Sequence, residues 1–292
     1  MKFSIVTITY NRAHLITETI QSVLNQTYTH FEHIIIDDGS TDETESIVKH
    51  FNDSRLRYYR YEKGGKRSFL RNEGIRKADG DCICILDSDD IWANNKLAVL
   101  QNIFNINSDI NFIIHNIGFI PFDAVKQAAF TDYSFDFSKN ILPDLLEEKI
   151  LPLSIFTVKK ETLDRIGLID ETLVDGQYDL YLRIASEYKV YYCTEKLAYI
   201  RKHDQNISKN RDMTHYDDYL KSIDKLKNNA CISLKKHTDL KSRMYSKIAY
   251  IYHRQNEYQK AKENYLKSFQ TRIFSYSGFK SFVMYLKINL MK

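Results

Sequence analysis

The segment that most constrains the fold of this chain is an apolar run, Cys82–Leu86, that leads into three carboxylates within four residues. A short apolar run containing β-branched residues predicts a buried strand. Asp87, Asp89 and Asp90 repel one another and carboxylates are rarely buried without a partner. Such a cluster is stable if it is fully solvated, if basic side chains neutralise it, or if it binds a divalent cation. Asp87 and Asp89 are spaced i, i+2, so their oxygens point the same way on an extended backbone and suit Mg²⁺ or Mn²⁺. The alternative is an acidic turn that caps a following helix.

Strand and helix patterns alternate around this segment. Strands are predicted at Lys2–Ile8, Phe31–Ile36, Leu56–Tyr61, Cys82–Leu86 and Phe112–Phe119, and helices at Ile16–Gln26, Ser40–Phe51, Ser68–Lys77 and Asn95–Asn105. Ser40 followed by Glu43 has the signature of a capping box. The alternation, with its short connections, predicts an α/β domain with a largely parallel sheet, whose ligands lie beyond the carboxyl ends of the strands. Polar groups at Thr9-Tyr10, Asp37-Asp38 and Asp87–Asp90 follow predicted strands and so converge on one crevice.

The second half of the chain has weaker patterns. Residues 121–149 predict an irregular loop or a lid over the site, and from Tyr216 onward the sequence is helical and basic. Further strands are predicted at Leu151–Val158, Lys189–Cys193 and Leu197–Ile200, and further helices at Glu161–Ile166 and Tyr178–Ser186. The sequence therefore predicts two domains, residues 1–215 and residues 216–292.

The two predicted domains also differ in net charge. Residues 216–292 hold 16 basic and 6 acidic residues, a net charge of +10, whereas residues 1–215 hold 26 and 32, a net charge of −6. An acidic body with a basic tail argues against a nucleic-acid-binding fold. The four cysteines form no C-x-x-C pair and predict a reducing compartment. No signal peptide and no transmembrane helix are expected.

Five ordered pieces in the first hundred residues carry a family resemblance. They are Ser4–Asn11, Ser22–Thr27, Ile36–Asp42, Arg71–Ile75 and Leu86–Trp92, and weaker pieces follow at Gly167–Glu171, Tyr178–Arg183 and Tyr199–His203. With these pieces the chain resembles the family 2 glycosyltransferases. The resemblance implies a GT-A-type, Rossmann-like α/β domain with a mostly parallel central sheet, and the small helical C-terminal region predicted above follows this domain. It also implies transfer of a sugar, with inversion, from a nucleotide diphosphate donor to a glycan or lipid-linked acceptor.

The resemblance implies roles for individual residues. Asp38 contacts the base of a uridine or thymidine nucleotide, Thr9 and Tyr10 shape the base pocket, and Arg71 lies by the nucleotide. A tyrosine ring can stack on a base, and a carboxylate can accept a hydrogen bond from a base N–H. The motif Asp87-Ser88-Asp89 supplies the Mn²⁺ or Mg²⁺ site, with Asp89 on the metal and Asp87 facing both ribose and metal. Two of these residues have alternatives: Tyr10 as a packing residue, and Arg71 as the partner of a neighbouring acid.

His203, which follows the last predicted strand, is the third metal candidate; the alternative is a histidine with a purely structural role. Asp37 is treated as a turn residue and Asp90 as a cap.

The general base is harder to assign. An inverting transfer needs a carboxylate to accept the proton of the acceptor hydroxyl, and the family supplies it in a pattern like E-D-x-D-L-x-L-R. Here the position of the base falls on Gln177, which cannot act as a base. Asp175 is the first candidate and Asp179 the second, although the family's residue at the place of Asp179 looks structural. Gln177 motivates an alternative function, a catalytically inactive module that binds a nucleotide sugar and acts as an interaction partner.

The tail contains one helical hairpin of tetratricopeptide type. Its apolar positions are Tyr245, Ile248, Ala249, Tyr252, Ala261 and Tyr265, with Asn256 near the turn. One unit cannot bury its own face, so the hairpin is expected to pack on the first domain or on a partner. The last segment, Ile273–Met291, mixes aromatic and aliphatic residues with lysines. This composition fits an interfacial helix at an anionic membrane, and the alternative is a basic helix packed on the body. The predicted location is cytoplasmic, with peripheral contact to the inner face of the membrane.

Overall fold

The computed structural model describes residues 1–120, 141–148, 156–202, 213–273 and 275–290, which fall into two units, Met1–Asn210 and Arg211–Lys292. The predicted boundary between residues 215 and 216 lies close to this division and stays a prediction. The strands are β1 (Phe3–Thr9), β2 (Phe31–Asp37), β3 (Leu56–Arg60), β4 (Cys82–Ile85), β5 (Ile91–Trp92), β6 (Phe112–Ile120), β7 (Phe156–Lys159) and β8 (Val190–Arg201). The helices of the first unit are α1 (Ile16–Leu24), α2 (Thr44–His50), α3 (Arg67–Arg76), α4 (Lys96–Ile106), α5 (Leu142–Leu146), α6 (Lys160–Ile166) and α7 (Gln177–Glu187).

The described strands form one eight-stranded sheet in the order β3-β2-β1-β4-β7-β6-β8-β5. The pairs β1–β2, β2–β3, β1–β4 and β6–β8 are parallel, and the remaining three pairs are antiparallel. The predicted α/β fold with a mostly parallel central sheet is therefore confirmed. From β1 the chain adds β2 and β3 on one side and then returns to place β4 on the other. Ligands of α/β sheets bind at such a reversal, which here lies at the carboxyl ends of β1 and β4.

The adjacent strands β2, β1 and β4 lie in the interior of the sheet and are almost entirely buried. All seven residues of β2 and all four of β4 are buried, as expected for parallel strands covered on both faces. Among the polar residues buried there, Ser4 and Glu32 are paired with each other. The carboxylate of Glu32 accepts from Ser4 Oγ at 2.7 Å and from Arg57 Nη1 at 2.6 Å. These buried, paired strands position the polar residues at their ends.

Two local predictions were wrong, and one short strand was missed. Ser40 does not cap a helix, because its hydroxyl donates to Asp37 Oδ1 at 2.7 Å, and Asp42 instead accepts from the backbone N–H of Thr44 at 3.0 Å. The short strand β5, which pairs with β8, was not predicted; it precedes the helix predicted at Asn95–Asn105, which is present as α4. The two short strands predicted after residue 188 are one continuous strand, β8, whose register shifts beside His115–Ile117.

The segment predicted as a lid lies largely outside the described residues. Residues 141–148, which are described, hold the short helix α5, so this part of the predicted loop is helical. The predicted strand Leu151–Val158 is described from Phe156 onward, where β7 pairs antiparallel with β4.

Close packing of α3 on the sheet depends on Gly74. A Cβ atom at this position would lie 2.3 Å from Val6 Cγ1 and 3.3 Å from Ile36 Cγ1, well inside ordinary contact distance. The absence of a side chain lets α3 approach β1 and β2. That approach sets the position of Arg71, three residues earlier on the same helix.

The second unit consists of the helices α8 (Thr214–Asn228), α9 (Leu234–Arg254), α10 (Tyr258–Thr271) and α11 (Tyr276–Leu290). The predicted hairpin is present as α9 and α10, and Asn256 in the turn has a φ of 62°, a left-handed conformation that asparagine tolerates. The face of this hairpin is covered within the unit itself. Ile288 of α11 joins Ala249, Ala261 and Tyr265 in one apolar cluster, with Met284 and Tyr285 packed against it. No helix among the described residues combines the length and the apolar character needed to cross a bilayer.

We expect Gly74→Ala to lower the free energy of unfolding by about 1–3 kcal/mol, because the new methyl group overpacks the interface with Val6. Val6→Ala removes the two methyl groups of Val6 that the new methyl group at position 74 would contact. The loss of stability in the double variant should therefore be smaller than the sum of the two single losses, by at least about 0.5 kcal/mol. Urea denaturation of the four proteins of this cycle measures the coupling. A stabilising Gly74→Ala, in which the gain in helix propensity outweighs the contact, would contradict this account.

Candidate active site

The ends of β1 and β2 are joined at the predicted crevice. The backbone N–H of Asp38 donates to the carbonyl of Thr9 at 2.9 Å. Thr9 is buried, and its hydroxyl has no hydrogen-bond partner among the described residues. Thr9 therefore lies beneath the surface of the crevice and contributes to its floor.

Asp38 holds a glycine loop against the strand ends. Its Oδ1 atom accepts from the backbone N–H groups of Gly64 at 3.2 Å and Gly65 at 2.9 Å. A Cβ atom at Gly65 would lie 3.2 Å from this same oxygen, so glycine permits the close approach. Within the described residues Oδ2 accepts no hydrogen bond, which is compatible with the predicted contact to a base N–H.

Tyr10 carries a lysine on its ring. Lys63 Nζ lies 4.2 Å from the ring centroid and donates to the phenolic oxygen at 2.5 Å. Stacking of a base on Tyr10, as the sequence predicts, requires the opposite face of the ring or displacement of Lys63. Neighbouring Asp37 has the turn role expected for it, since it is fully buried and accepts from the hydroxyls of Ser40 and Tyr58.

Three basic side chains surround the acidic turn Asp87–Asp90. Arg71 Nη2 lies 3.6 Å from Asp87 Oδ1. Arg201 donates from Nε to the carbonyl of Asp89 at 2.7 Å and from its backbone N–H to Asp90 Oδ1 at 3.1 Å. Lys96 is fully buried and lies close enough to Asp90 for electrostatic attraction. Of the three ways to stabilise the carboxylate cluster, neutralisation by basic side chains is therefore present.

Burial shifts the pKa values of Asp90 and of its neighbour Lys96. Burial, together with the charges of Asp87 and Asp89, raises the pKa of Asp90 to about 8. Burial lowers the pKa of Lys96 to about 7, although the carboxylate of Asp90 acts in the opposite direction. Asp90 binds the backbone of Arg201 and does not cap a helix, so the cap role predicted for it was wrong.

The carboxylates of the acidic turn are of the chemical type that binds a cation together with phosphates. Among the described residues no group of three His, Cys, Asp or Glu side chains is positioned to hold a metal ion. Mg²⁺ characteristically binds one or two carboxylates and completes its shell with phosphates and water, so Asp87 and Asp89 stay the predicted ligands. The third predicted ligand, His203, lies outside the described residues.

Asp175 is held by two arginines at the N-terminus of α7. Its Oδ2 atom accepts from Arg67 Nε at 2.9 Å and from Arg71 Nη1 at 3.0 Å, and its Oδ1 atom accepts from the backbone N–H of Gln177 at 3.2 Å. Burial raises the pKa of Asp175, but the two guanidinium groups outweigh burial and hold that pKa well below its usual range. Asp175 is therefore ionised at neutral pH.

Gln177 also contacts Arg71. With the amide oriented so that its oxygen faces the guanidinium, Gln177 Oε1 accepts from Arg71 Nη2 at 2.7 Å. Arg71 is 3% exposed, and its guanidinium contacts Asp87, Asp175 and Gln177. A neutral acceptor at position 177 avoids placing a third carboxylate on one buried guanidinium.

Asp179 has a different environment. It is 2% exposed, and its Oδ2 atom accepts from Arg183 Nε at 2.8 Å. Arg183 also donates to the carbonyls of Ile166 at 2.6 Å and Leu168 at 2.7 Å. These contacts favour a structural role, in which Asp179 orients the arginine that fixes the chain between α6 and α7.

The sequence did not single out Arg67, Arg201, Lys96 or Lys63. Arg67 precedes Arg71 by four residues and shares its face of α3, so the i, i+4 spacing of two arginines was a usable signal. Arg201 belongs to the segment Tyr199–His203 that carries part of the family resemblance, but no role was predicted for it. The contacts of Lys96 and Lys63 come from chain segments that sequence patterns do not bring together.

Comparison with known proteins identifies the family. A sequence model described as glycosyl transferase family 2 matches residues 4–167. The chain belongs to this family. An uncharacterized glycosyltransferase of Rickettsia felis is 33% identical over 205 residues, which cover 68% of this chain and 33% of the relative. The UDP-Glc:alpha-D-GlcNAc-diphosphoundecaprenol beta-1,3-glucosyltransferase WfgD of Escherichia coli is 39% identical over 113 residues, or 39% of this chain and 44% of that protein.

A solved structure matches the fold of this glycosyltransferase. It is S. aureus TarS 1-349 in complex with UDP-GlcNAc, with a TM-score of 0.70 at 17% identity, covering 93% of this chain and 81% of that one. The predicted family, enzyme class and GT-A fold are thus confirmed. The chain spans 24%, 33% and 64% of the length of three curated relatives that it matches.

We expect Arg67→Gln to raise the pKa of Asp175, because one of two neighbouring cations is removed while Arg71 remains. The folded pKa of Asp175 is below its unfolded value, so its ion pairs stabilise the fold above about pH 4 and lose this effect as the pH falls. NMR titration of the Asp175 carboxyl carbon measures the shift directly. Lys66→Gln is the matched control, since Lys66 Nζ binds the carbonyls of Glu171 and Thr172 and not the carboxylate. An equal shift in both variants would contradict the assignment.

Proposed function

We propose that this protein is a metal-dependent, inverting glycosyltransferase that moves a sugar from a UDP- or dTDP-sugar to a lipid-linked or polysaccharide acceptor. The observation that carries the proposal is the position of Arg71, whose guanidinium contacts both Asp87 of the acidic turn and Asp175. The guanidinium thereby lies between two carboxylates with different proposed roles. Asp87 would help to bind the metal that contacts the donor's diphosphate, and Asp175 would accept the proton of the acceptor.

The donor and acceptor classes are supported by relatives. The name of WfgD specifies UDP-Glc as its donor and a diphosphoundecaprenol-linked sugar as its acceptor. The TarS structure contains UDP-GlcNAc. A uridine or thymidine base suits Asp38, because a carboxylate oxygen can accept the base N–H. An acceptor of this kind is membrane-bound, so we propose that the protein works at the cytoplasmic face of a membrane.

In the proposed reaction the acceptor hydroxyl transfers its proton to Asp175 while its oxygen forms a bond to the anomeric carbon. The bond from that carbon to the phosphate oxygen breaks, and the nucleoside diphosphate leaves with the electron pair. Asp87 and Asp89 would hold Mn²⁺ or Mg²⁺, which supplies charge stabilisation for the departing diphosphate. Arg71 stabilises the same charge.

Arg71 also links donor binding to the basicity of Asp175. A carboxylate clamped by two guanidinium groups is ionised but is a weak base. The phosphates of a bound donor offer Arg71 another anionic partner, and weakening of its contact to Asp175 raises the pKa of that carboxylate. This order favours proton transfer after the donor is bound.

Release of nucleoside diphosphate from a panel of UDP- and dTDP-sugars with Mn²⁺ tests the activity. We expect Asp89→Ala to lower kcat at least about 100-fold, because the diphosphate loses part of its charge stabilisation. EDTA should abolish turnover and added Mn²⁺ should restore it. Asp164→Ala, at an exposed acid of α6, is the control and should keep wild-type activity. No turnover with any donor, or full activity of Asp89→Ala, would overturn the proposal.

The two candidate bases differ in their expected kinetics. Asp175→Asn should lower kcat about 10²–10⁴-fold, the usual contribution of a general base. Asp179→Asn should keep kcat within about tenfold while it lowers the melting temperature, because its carboxylate positions Arg183. Steady-state kinetics and thermal denaturation of both variants make the comparison. A large loss of kcat in Asp179→Asn without loss of stability would assign the base to Asp179 instead.

A further inference from the structure

Helix α11 presents an apolar stripe to solvent. Tyr276 is 84% exposed, Phe279 65% and Leu286 43%. At ~100° per residue these positions fall on one side of the helix, within an arc of about 120° that also contains Lys280 and Lys287. We call these five residues the α11 outer face.

The opposite side of α11 is already used for packing. Ile288 is buried in the cluster of the α9–α10 hairpin, and Met284 and Tyr285 pack against it. Ser281 is fully buried and donates to Ser268 Oγ of α10 at 2.9 Å. The helix is thus anchored by one side, and the exposed aromatic residues are not needed to hold it in place.

The charge of the outer face indicates the kind of partner. Lys280 and Lys287 lie among its apolar residues and are exposed, and Tyr276–Leu290 contains no acidic residue. Residues 216–292 as a whole carry a net charge of +10. Aromatic and aliphatic side chains flanked by lysines match the boundary between acyl chains and anionic headgroups, where the apolar groups are buried and the ammonium groups contact phosphates.

We propose that the α11 outer face docks the protein on an anionic lipid membrane. Phe279 and Leu286 enter the acyl boundary, Tyr276 lies at the level of the headgroups, and the two lysines bind lipid phosphates. The inference extends the proposed function, because a lipid-linked acceptor requires the enzyme to work at a membrane surface. Docking is nevertheless a property of the second unit's surface and can be measured without turnover.

Cosedimentation of the full chain with phosphatidylcholine vesicles, with and without phosphatidylglycerol, tests the proposal. Wild-type protein should bind the anionic vesicles and be released by high salt, since lysine–headgroup attraction is screened. Phe279→Ser/Leu286→Ser and Lys280→Glu/Lys287→Glu should each weaken binding at least about tenfold. The matched controls are Leu234→Ser, at a leucine of α9 that is 66% exposed, and Lys227→Glu, at an exposed lysine of α8. Both controls should bind as wild type does.

Circular dichroism and nucleoside diphosphate release without vesicles, measured on every variant, separate docking from folding and from the proposed activity. Variants that are folded and active but do not sediment support the proposal. Absence of wild-type binding, equal binding to neutral vesicles, or equal losses in the controls would overturn it. Concentration-dependent self-association that the outer-face variants abolish, without vesicle binding, would assign the face to a second copy of the chain and would also overturn it.

Discussion

The buried guanidinium of Arg71 is the interaction on which the candidate site depends. It lies between Asp87, which follows β4, and Asp175, which precedes α7, two residues 88 positions apart in the sequence. Burial of a guanidinium is costly unless carboxylates and other acceptors surround it. The acidic turn and the loop before α7 are therefore required to keep Arg71 in place, just as Arg71 holds them together. Gly74 makes this possible because it lets α3 approach the sheet.

Charge balance in the crevice follows from the same arrangement. The three acidic side chains of one turn face basic side chains from three separate elements: Arg71 of α3, Lys96 of α4 and Arg201 of β8. Lys96 is an unfavourable choice in isolation, because it is buried at the N-terminal end of a helix, where the dipole opposes a cation. Nearby basic side chains and the raised pKa of Asp90 together stabilise the acidic turn. In the proposed reaction, a bound cation would therefore act on the diphosphate leaving group rather than hold the turn together.

Patterns within the sequence predicted the central strands, the helices between them and the crevice residues Thr9, Asp38 and Asp87. These features are local: a buried parallel strand is a continuous apolar run, and its polar end marks the edge of the sheet. The rest depends on contacts between distant segments. The length of β8 is set by its pairing with β6 and β5, and the cover of the α9–α10 hairpin comes from α11. The capping box was wrong because Asp37, a buried carboxylate, takes the hydroxyl of Ser40. The clamp on Asp175 arises only when α3 and the loop before α7 meet.

The central claim is that Arg71 joins the donor's diphosphate to the base that activates the acceptor. A crystal structure with Mn²⁺ and an unreactive UDP-sugar, in which the distance from the Asp175 carboxylate to the anomeric carbon is measured, tests this most directly. The account predicts a diphosphate bound at Asp87 and Asp89 and contacted by Arg71, with Asp175 on the opposite face of the sugar, close enough for one acceptor hydroxyl to lie between carboxylate and carbon. A donor bound away from Arg71, with Asp175 still clamped and remote from the anomeric carbon, would contradict it.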